Sequence, residues 1–245
     1  MSEQPLTTEA WQGVDLESPQ AILERALENY HPSIALASSF SLEDVALIDM
    51  LMSLRKDARV FALDTGRLNP ETYECADAIH RKYGLKIEWY FPRHPEVESL
   101  EREKGLFSFR ESIENRKECC FIRKVEPLNR ALGELDAWIT GLRREQSVTR
   151  TELAAVEVDD SHHGMLKINP LTAWTLEDTW AYVRKNKIPY NRLHDQGYPS
   201  IGCAPCTRAI MPGDDSRAGR WWWENPEHKE CGLHIRSEAD QGAGI

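Results

Sequence analysis

The amino-acid sequence predicts a single α/β domain with a mainly parallel central sheet flanked by helices. Short apolar runs alternate with segments of helical spacing through the first half of the chain, and such alternation implies parallel strands joined by right-handed crossovers. With 245 residues, the chain can bury about 70 to 75% of its unfolded surface, enough for one substantial core. We place the domain at residues 1–220 and a C-terminal tail at residues 221–245.

The first two strands and their helices follow from the spacing of apolar residues. Residues 33–37 have a buried-strand pattern, and residues 41–53 have helical spacing with a serine at the N-cap. Residues 59–63 have the pattern of a second strand. A helix then begins at Asn69-Pro70 and ends at Gly84, because proline favours the first helical turn and glycine the left-handed C-cap.

Two further strands complete the predicted sheet. Residues 86–90 form the third strand, and after a charged helical stretch residues 137–140 form the fourth. Ligands of such sheets bind outside the carboxyl ends of the strands. Polar loops that follow the strands are therefore expected to converge on one edge, at residues 38–41, 64–67 and 141–146.

The balance of charge excludes one broad class of partner. The formal net charge is −10, so the chain lacks the sequence-wide attraction to phosphate backbones that dominates nucleic-acid affinity. We therefore expect no nucleic-acid partner. Local basic groups remain at Arg143-Arg144 and at Arg208, Arg217 and Arg220. Taken singly each is a solvated surface arginine, whereas concentrated basic groups in an acidic protein suit a small anion.

The N-terminal segment predicts a cytoplasmic protein with reduced thiols. Residues 1–8 are polar and lack the apolar core of a signal peptide, and no segment approaches the roughly 18 consecutive apolar residues of a membrane span. We expect no membrane partner. Thiols stay reduced in the cytosol, where clustered cysteines bind metal or perform redox chemistry more often than they form disulfides.

Four of the six cysteines form two close pairs, Cys119-Cys120 and Cys203-x-x-Cys206. Four thiolates complete either a zinc site or an iron-sulfur cluster. The paired ligands of structural zinc usually have two to four residues between them, whereas Cys119 and Cys120 are adjacent. The spacing therefore favours a [4Fe-4S] cluster and leaves zinc as the alternative.

The other two cysteines have different settings. Cys231 lies in a polar segment beside Lys229 and His234, which would lower the pKa of its thiol, and only a thiolate is a good nucleophile. We interpret Cys231 as reactive; an incidental exposed cysteine is the alternative. Cys75 lies within the helix that starts at Asn69, where core packing is its expected role.

The loops after the strands carry candidate anion-binding groups. Residues 38–41 bring hydroxyl and backbone N–H groups into a helix N-terminus, an arrangement that suits an anion. The loop has neither a P-loop nor a dinucleotide fingerprint, and a serine-rich N-cap without a ligand is the alternative. Gly141 follows a strand and would let a ligand approach the backbone. For this reason we interpret the nearby Arg143, Arg144 and Arg150 as candidate ligand-binding residues.

Taken together, the motifs resemble one enzyme family. The tandem Cys119-Cys120, the Cys203-Ala204-Pro205-Cys206 pair and the run Glu230-Cys231-Gly232-Leu233-His234 look like the thioredoxin-dependent assimilatory adenylylsulfate (APS) reductases of the PAPS reductase family. Residues 38–41, 63–67 and 138–144 also match family segments, so the resemblance extends from about residue 33 to residue 234. It implies an adenine nucleotide alpha hydrolase-like fold and the reduction of adenosine 5′-phosphosulfate to sulfite and AMP.

The resemblance also implies roles for individual residues. Cys231 would be the nucleophile, Lys124 matches the lysine that links cluster and substrate, and His234 matches a tail histidine near the substrate. A [4Fe-4S] cluster would be held by Cys119, Cys120, Cys203 and Cys206. Substrate would be bound by Ser38, Ser39, Ser41, Leu63, Gly141, Arg143, Arg150, Arg217 and Arg220, the last two facing the phosphosulfate.

The implied chemistry has two steps. Attack by the Cys231 thiolate on sulfur expels AMP and leaves an enzyme S-sulfonate, while Lys124, Arg217 and Arg220 would stabilise the charge on the departing phosphate. A second thiol must then free sulfite. Because four cysteines would be ligands and Cys75 looks buried, the donor would be an external dithiol, for which thioredoxin, at about −270 mV, or a glutaredoxin is suitable.

Three other functions stay open on the sequence. A reductase of 3′-phosphoadenosine 5′-phosphosulfate (PAPS) would usually lack both cysteine pairs. An iron-sulfur tRNA sulfur-transfer enzyme would carry a Gly-rich pyrophosphatase loop and a basic surface, and neither is evident. A non-catalytic iron-sulfur redox sensor would not need Cys231. A homo-oligomer is also open.

Overall fold

The computed structural model describes residues 8–146, 153–162 and 164–225. Within these ranges one six-stranded sheet is formed by β1 (Ile34–Ser38), β2 (Arg59–Leu63), β3 (Glu88–Tyr90), β4 (Ala137–Ile139), β5 (Val156–Asp159) and β6 (Met165–Ile168). The strands lie in the order β3-β2-β1-β4-β6-β5. The order reverses direction between β1 and β4, as in open α/β sheets that bind ligands at such a switch point.

The sheet is mainly parallel, which confirms the predicted fold class. All pairs from β3 to β6 are parallel, and the four strands predicted from the sequence lie within one or two residues of the observed bounds. β5 and β6 were not predicted. They form an antiparallel pair at one edge, with Glu157 opposite Lys167.

Helices cover both faces of the sheet. They are α1 (Pro19–Tyr30), α2 (Leu42–Leu54), α3 (Pro70–Tyr83), α4 (His94–Lys104), α5 (Ile113–Cys120), α6 (Glu126–Leu132) and α7 (Leu176–Lys185). Side chains of α1, α2, α3 and α7 share one buried cluster with Ile34 and Leu36 of β1. α6 packs on the opposite face against Ala35, Phe61 and Trp138. This division follows the two-residue alternation of side chains along a strand.

Local sequence signals set the helix ends. In α3, Asn69 is the N-cap, Pro70 occupies the first turn, and Gly84 ends the helix with a φ of 66°, as the sequence predicts. Asp49 of α2 accepts hydrogen bonds from the hydroxyls of Tyr83 and Tyr182, at 2.7 and 2.8 Å. These bonds connect α2 to α3 and to α7 on one face of the sheet.

A π-helical turn joins α5 to α6. It spans Phe121–Val125 and directly follows the cysteine pair at the end of α5. The backbone N–H of Glu126 donates to the carbonyl of Phe121, five residues earlier. Because such turns insert one residue into a helix and often mark functional sites, this turn sets where Arg123 and Lys124 lie relative to the cysteines.

Two sequence expectations concern apolar surroundings. Cys75 is buried in the core beside α2, and burial, followed by the charge of Asp44, raises the pKa of its thiol to about 12, so it has the expected packing role. Among the helices of the described residues, none combines the length and the apolar character needed to span a bilayer.

Candidate functional site

A cavity of about 440 Å³ lies at the carboxyl edge of the sheet. Its lining includes residues from all three loops that the sequence places at this edge, among them Ser38, Thr65 and Gly141. The size is within the usual range for a small-molecule site. The same cavity is also lined by Lys124, which is predicted to be catalytic, and by six more of the predicted binding residues: Ser39, Ser41, Leu63, Arg143, Arg217 and Arg220.

The loop between β1 and α2 is organised by Asp44. The backbone N–H and the hydroxyl of Ser39 both donate to Asp44 Oδ2, at 2.6 and 2.8 Å, and the N–H of Ser41 donates to the same oxygen at 3.4 Å. Phe40, between them, is buried with a φ of 58°, a rare conformation for a bulky residue. The backbone N–H and the hydroxyl of Ser39, which the sequence suggests as donors to an anion, therefore donate to a carboxylate of the protein itself.

Asp44 is almost fully buried, and its environment favours the neutral form. Burial raises the pKa of its carboxyl from 3.8 to about 6, although hydrogen bonds from Ser39 oppose the shift. Its neighbour Glu43 is also buried and adds to the shift by repulsion. A buried acid at this position makes the stability of the loop depend on pH.

We expect Asp44→Asn to remove a fall in stability between about pH 4 and pH 7. The folded state binds the Asp44 proton more tightly than the unfolded state, so the stability from the neutral acid is present below about pH 4 and is lost as pH rises through about 6. The rise in the pKa of Asp44 from 3.8 to about 6 corresponds to about 3 kcal/mol of folding free energy. Urea unfolding of both proteins across this range measures the difference.

Asp178 provides a matched control for this prediction. It occupies the same third position of a capping box in α7, but it is exposed and hydrogen bonds from the Thr175 backbone and side chain lower its pKa. Its charged form stabilises the fold, so Asp178→Asn should alter the pH profile in the opposite direction. Parallel profiles for wild type and Asp44→Asn would contradict the assignment.

Gly141 lies close against this carboxylate. A methyl group at position 141 would fall 2.5 Å from Asp44 Oδ1 and 3.0 Å from Glu43 Cβ. The first turn of α2 and the loop after β4 can therefore meet only if residue 141 has no side chain. Close packing against α2 therefore explains why residue 141 is a glycine. The loop that contains Gly141 also lines the cavity.

Gly141→Ala should consequently destabilise the protein by about 1 to 3 kcal/mol, the usual cost of overpacking a well-packed region. Gly133→Ala is the matched control, because a methyl group there would meet nothing closer than the carbonyl of Asn129 at 3.3 Å and should change stability by less than about 1 kcal/mol. Equal free energies of unfolding for the two variants would show that the contact at Gly141 is not restrictive.

Arg143 is buried in an acidic setting. Its guanidinium pairs with Glu43 at 2.9 Å and with Glu145 at 3.0 Å, and Glu145 also accepts a hydrogen bond from the N–H of Leu176. The arginine predicted to bind substrate therefore already has two carboxylate partners. Glu43 and Glu145 therefore balance the charge of Arg143. The ion pair with Glu43 also fixes the loop after β4 on α2.

A cationic group lies elsewhere along the cavity. Lys124, Arg217 and Arg220 line it together with Ser200 and Cys203. Arg220 donates from Nη1 to the Ser200 hydroxyl at 3.3 Å. The cavity lining thus has an acidic group around the start of α2 and a basic group beside Cys203.

The four paired cysteines line a second, small pocket. Cys119 and Cys120 come from the end of α5, and Cys203 and Cys206 from a short turn after α7. The Thr65 hydroxyl lies 3.3 Å from Cys203 Sγ. Cys203 and Lys124 line this pocket and the larger cavity alike, so the two spaces adjoin.

The charges around the thiols act differently on the two members of the second pair. Burial opposes ionisation of Cys203, but Lys124 and the Thr65 hydroxyl, with help from nearby arginines, hold its pKa below the ordinary value. Burial and the neighbouring Cys203 raise the pKa of Cys206 to about 12. In Cys119, burial raises the pKa against the influence of Arg123 and Arg67.

The four thiols around this pocket are a donor set that is compatible with a [4Fe-4S] cluster or with zinc. Within the described ranges, no three cysteine, histidine or carboxylate groups are gathered as the ligands of one ion. Each thiolate of a [4Fe-4S] cluster binds a different iron, so its four ligands surround a larger body. Four cationic side chains, which would offset the charge of the thiolates, also line this pocket: Arg67, Arg116, Arg123 and Lys124.

A network of arginines holds the cysteine segments in place. Glu101 of α4 pairs with both Arg67 and Arg123, the latter at 2.6 Å. Arg123 also donates to the Thr65 carbonyl at 2.8 Å, and the N–H of Ala204 donates to the Arg67 carbonyl at 2.8 Å. The loop after β2 is thereby joined to the turn that carries Cys203 and Cys206.

Trp221 is one residue of this region that the sequence did not indicate. It is 1% exposed, and the guanidinium carbons of Arg116 and Arg220 each lie 4.7 Å from its ring centre. Its φ of 39° is unfavourable for a bulky side chain and costs about 1 to 3 kcal/mol. The run Trp221-Trp222-Trp223 marks an aromatic segment, but nothing in it distinguishes the buried member.

Residues 221–225, which the predicted division assigns to the tail, begin with buried contacts. Glu224 pairs with Arg116 of α5 at 2.7 Å, and both side chains are buried. Trp223 packs on Phe109 with ring centres 6.1 Å apart. Three predicted site residues lie outside the described residues: Arg150, Cys231 and His234.

Comparison with known proteins places these features among sulfonucleotide enzymes. Residues 33–209 match the family model for the phosphoadenosine phosphosulfate reductase domain. The chain is 53% identical to adenosine 5′-phosphosulfate reductase of Burkholderia cepacia, over 84% of this chain and 82% of that protein. It is also 53% identical to the enzyme of that name from Allochromatium vinosum, over 84% of this chain and 80% of that protein.

A solved structure supports the same relation. The crystal structure of phosphoadenylyl-sulfate (PAPS) reductase from Candida auris, in a phosphate complex, superposes with a TM-score of 0.67 at 32% identity. The match covers 79% of this chain and 90% of that one.

Proposed function

Because this chain belongs to the phosphoadenosine phosphosulfate reductase domain family, we propose that it reduces adenosine 5′-phosphosulfate to sulfite and AMP in sulfate assimilation. One observation carries the proposal beyond the family: the cavity and the four-thiol pocket share Cys203 and Lys124. An anionic ligand of the cavity would therefore lie beside whatever the thiols hold. Relatives named for this substrate, at 53% identity, support the choice.

The charged side chains that line the cavity indicate how the substrate would be oriented in it. Lys124, Arg217 and Arg220 would bind the phosphosulfate, whose negative charge is concentrated at that end of the molecule. The acidic group at the start of α2, around Glu43 and Asp44, disfavours a phosphate and leaves that part of the cavity to the uncharged adenosine. The phosphosulfate would then lie near Cys203.

The cluster proposed for this enzyme is held by Cys119, Cys120, Cys203 and Cys206. When bound, a [4Fe-4S] cluster would join α5 to the turn after α7 and add fixed charge beside the cavity. The Trp221 indole N–H, buried in the pocket lining and without an acceptor among the described residues, is compatible with a sulfur-rich group there. Because Lys124 lines both spaces, it would lie between cluster and substrate.

The reacting group proposed for the first step is Cys231. Its thiolate attacks the sulfur of the substrate, so a sulfur–sulfur bond forms while the bond from sulfur to the bridging oxygen breaks. AMP leaves with the bonding electrons, and an S-sulfonate remains on the enzyme. Lys124, Arg217 and Arg220 would stabilise the charge that develops on the phosphate, with His234 of the tail near the substrate.

The second step requires a dithiol protein. A thiolate of thioredoxin or a glutaredoxin attacks the Cys231 sulfur and forms a mixed disulfide as sulfite departs with the electron pair. The second thiol of the donor then attacks this disulfide, so the donor leaves oxidised and Cys231 is regenerated. Such donors and the reduced ligand thiols are compatible with a cytoplasmic enzyme.

A sulfite-release assay tests the proposal directly. Wild-type protein with thioredoxin should form sulfite from APS, with a kcat/KM at least about tenfold above that for PAPS, or about 1.4 kcal/mol in transition-state binding. PAPS is the second candidate substrate, because the solved relative from Candida auris is named for it. Preference for PAPS would move the substrate assignment, and sulfite formation from neither compound would favour a redox sensor.

A further inference from the structure

The guanidinium of Arg220 occupies a slot between two residues. On one side it lies over the ring of Trp221, with Cζ 4.7 Å from the ring centre. On another side is Gly202, where a methyl group would collide with Arg220 Nη2 and fall 2.6 Å from Cζ. Arg220 is only 7% exposed, so its guanidinium has little room to move.

The backbone on both sides of this slot is tied together. Thr207 and Arg220 form an antiparallel bridge, the N–H of Trp221 donates to the Cys206 carbonyl at 3.1 Å, and the N–H of Arg208 donates to the Gly219 carbonyl at 3.0 Å. The segment that carries Arg220 is thus a short ladder on the segment that carries Cys206. Side chains that fix the ladder also fix the distance from Arg220 to the thiols.

Trp221 extends the connection to α5. Arg116, three residues before Cys119, places its guanidinium carbon 4.7 Å from the same indole centre. The buried pair between Arg116 and Glu224 at 2.7 Å closes the segment just beyond the tryptophan. The indole therefore contacts an arginine of the helix that bears the first cysteine pair and an arginine of the cavity.

We propose that Trp221 and Gly202 are positioning residues for the substrate: together they hold the Arg220 guanidinium where it binds the anionic part of the ligand. Guanidinium groups stack favourably on indole rings, more so where water is excluded. An arginine held before binding loses less side-chain freedom when the ligand arrives. This inference rests on the proposed function, in which Arg220 contacts the phosphosulfate.

Binding of APS and AMP by calorimetry tests the proposal in iron-loaded protein that carries Cys231→Ser, so that APS is bound but not consumed; this background is the wild-type reference for the slot, and iron content is measured for every variant. Trp221→Leu and Gly202→Ala should each weaken APS binding about tenfold. Trp221→Phe, which keeps a ring face, should stay within about threefold of wild type. Trp222→Leu is the matched control, because Trp222 contacts Arg110 and Arg208; it should bind APS as wild type does.

A double-mutant cycle separates positioning from general damage to the fold. If Trp221 acts through Arg220, Trp221→Leu should add little to the loss caused by Arg220→Ala, and the double variant should match the single arginine variant. Full additivity, or wild-type affinity in iron-loaded Trp221→Leu and Gly202→Ala, would overturn the proposal. Gly202→Ala leaves the indole in place and keeps the test valid if Trp221→Leu does not fold.

The position of Arg220 can also be read without substrate. Phenylglyoxal modifies accessible arginines, and peptide mass spectrometry reports the rate at Arg220. Trp221→Leu and Gly202→Ala should raise that rate severalfold, whereas Trp222→Leu should not. If wild-type protein fails to bind APS, the proposed function fails while this rate still decides whether the slot holds Arg220; an unchanged rate in both slot variants would show that it does not.

Discussion

Cys231→Ser should lower sulfite formation from APS by at least about 1,000-fold, because a serine hydroxyl lacks the nucleophilicity of a thiolate at neutral pH. The variant should keep its iron and still bind AMP, since Cys231 is separate in sequence from the four paired cysteines. Wild-type protein mixed with APS and no reductant should gain the mass of one SO3 group on the Cys231 peptide. Thioredoxin should remove this group.

Cys75→Ala is the matched control for that experiment. Cys75 is buried in the core, and burial, followed by the charge of Asp44, raises the pKa of its thiol to about 12, so its loss should leave turnover within about twofold of wild type. Intact-protein and peptide mass spectrometry distinguish the two cysteines. An SO3 adduct on Cys75, or full turnover by Cys231→Ser, would make the mechanism untenable.

Cys203→Ser should abolish the iron-sulfur chromophore and, with it, sulfite formation. Wild-type protein should be brown and contain about four irons and four sulfides per chain. Cys203 is buried, lies 3.3 Å from the Thr65 hydroxyl and lines both the thiol pocket and the cavity. Serine at this position removes a thiolate ligand at the point where the two spaces meet.

Chemical analysis of iron, sulfide and zinc measures this effect, and Cys75→Ala again serves as the control that removes a thiol outside the pocket. A colourless wild-type protein with stoichiometric zinc and full activity would refute the cluster. Iron retained at four per chain in Cys203→Ser would instead show that Cys203 is not a ligand.

The fold could be predicted largely because parallel strands buried on both faces are continuous apolar runs. β1 and β2 have this character. β5 and β6 do not, because they carry Glu157 and Lys167, and Lys167 is buried. The two side chains form an ion pair at 3.2 Å, which permits burial of the charges. The sequence alone does not show which residues of two strands lie opposite each other.

Features of the site that depend on residue type could be predicted from the sequence. Features that depend on contacts between particular side chains could be predicted less well. Two pairs of cysteines suggested one site with four thiol ligands, and the four thiols do line one pocket. The loop serines illustrate the limit: Ser39 carries the expected donors, but Asp44, five residues later, accepts from both of them. Which of three consecutive tryptophans is buried depends on Arg116, more than one hundred residues earlier in the chain.

The π-helical turn Phe121–Val125 has a consequence for changes in chain length. Successive residues of an α-helix are rotated by about 100° around the helix axis. One residue added to or removed from this turn would therefore rotate α5 by that angle relative to α6. Cys119 and Cys120 would then leave the face they share with the pocket, whatever the identity of the new residue. Exposed Phe121 can be exchanged freely by comparison. Insertions and deletions between the cysteines and α6 should therefore be selected against far more strongly than substitutions.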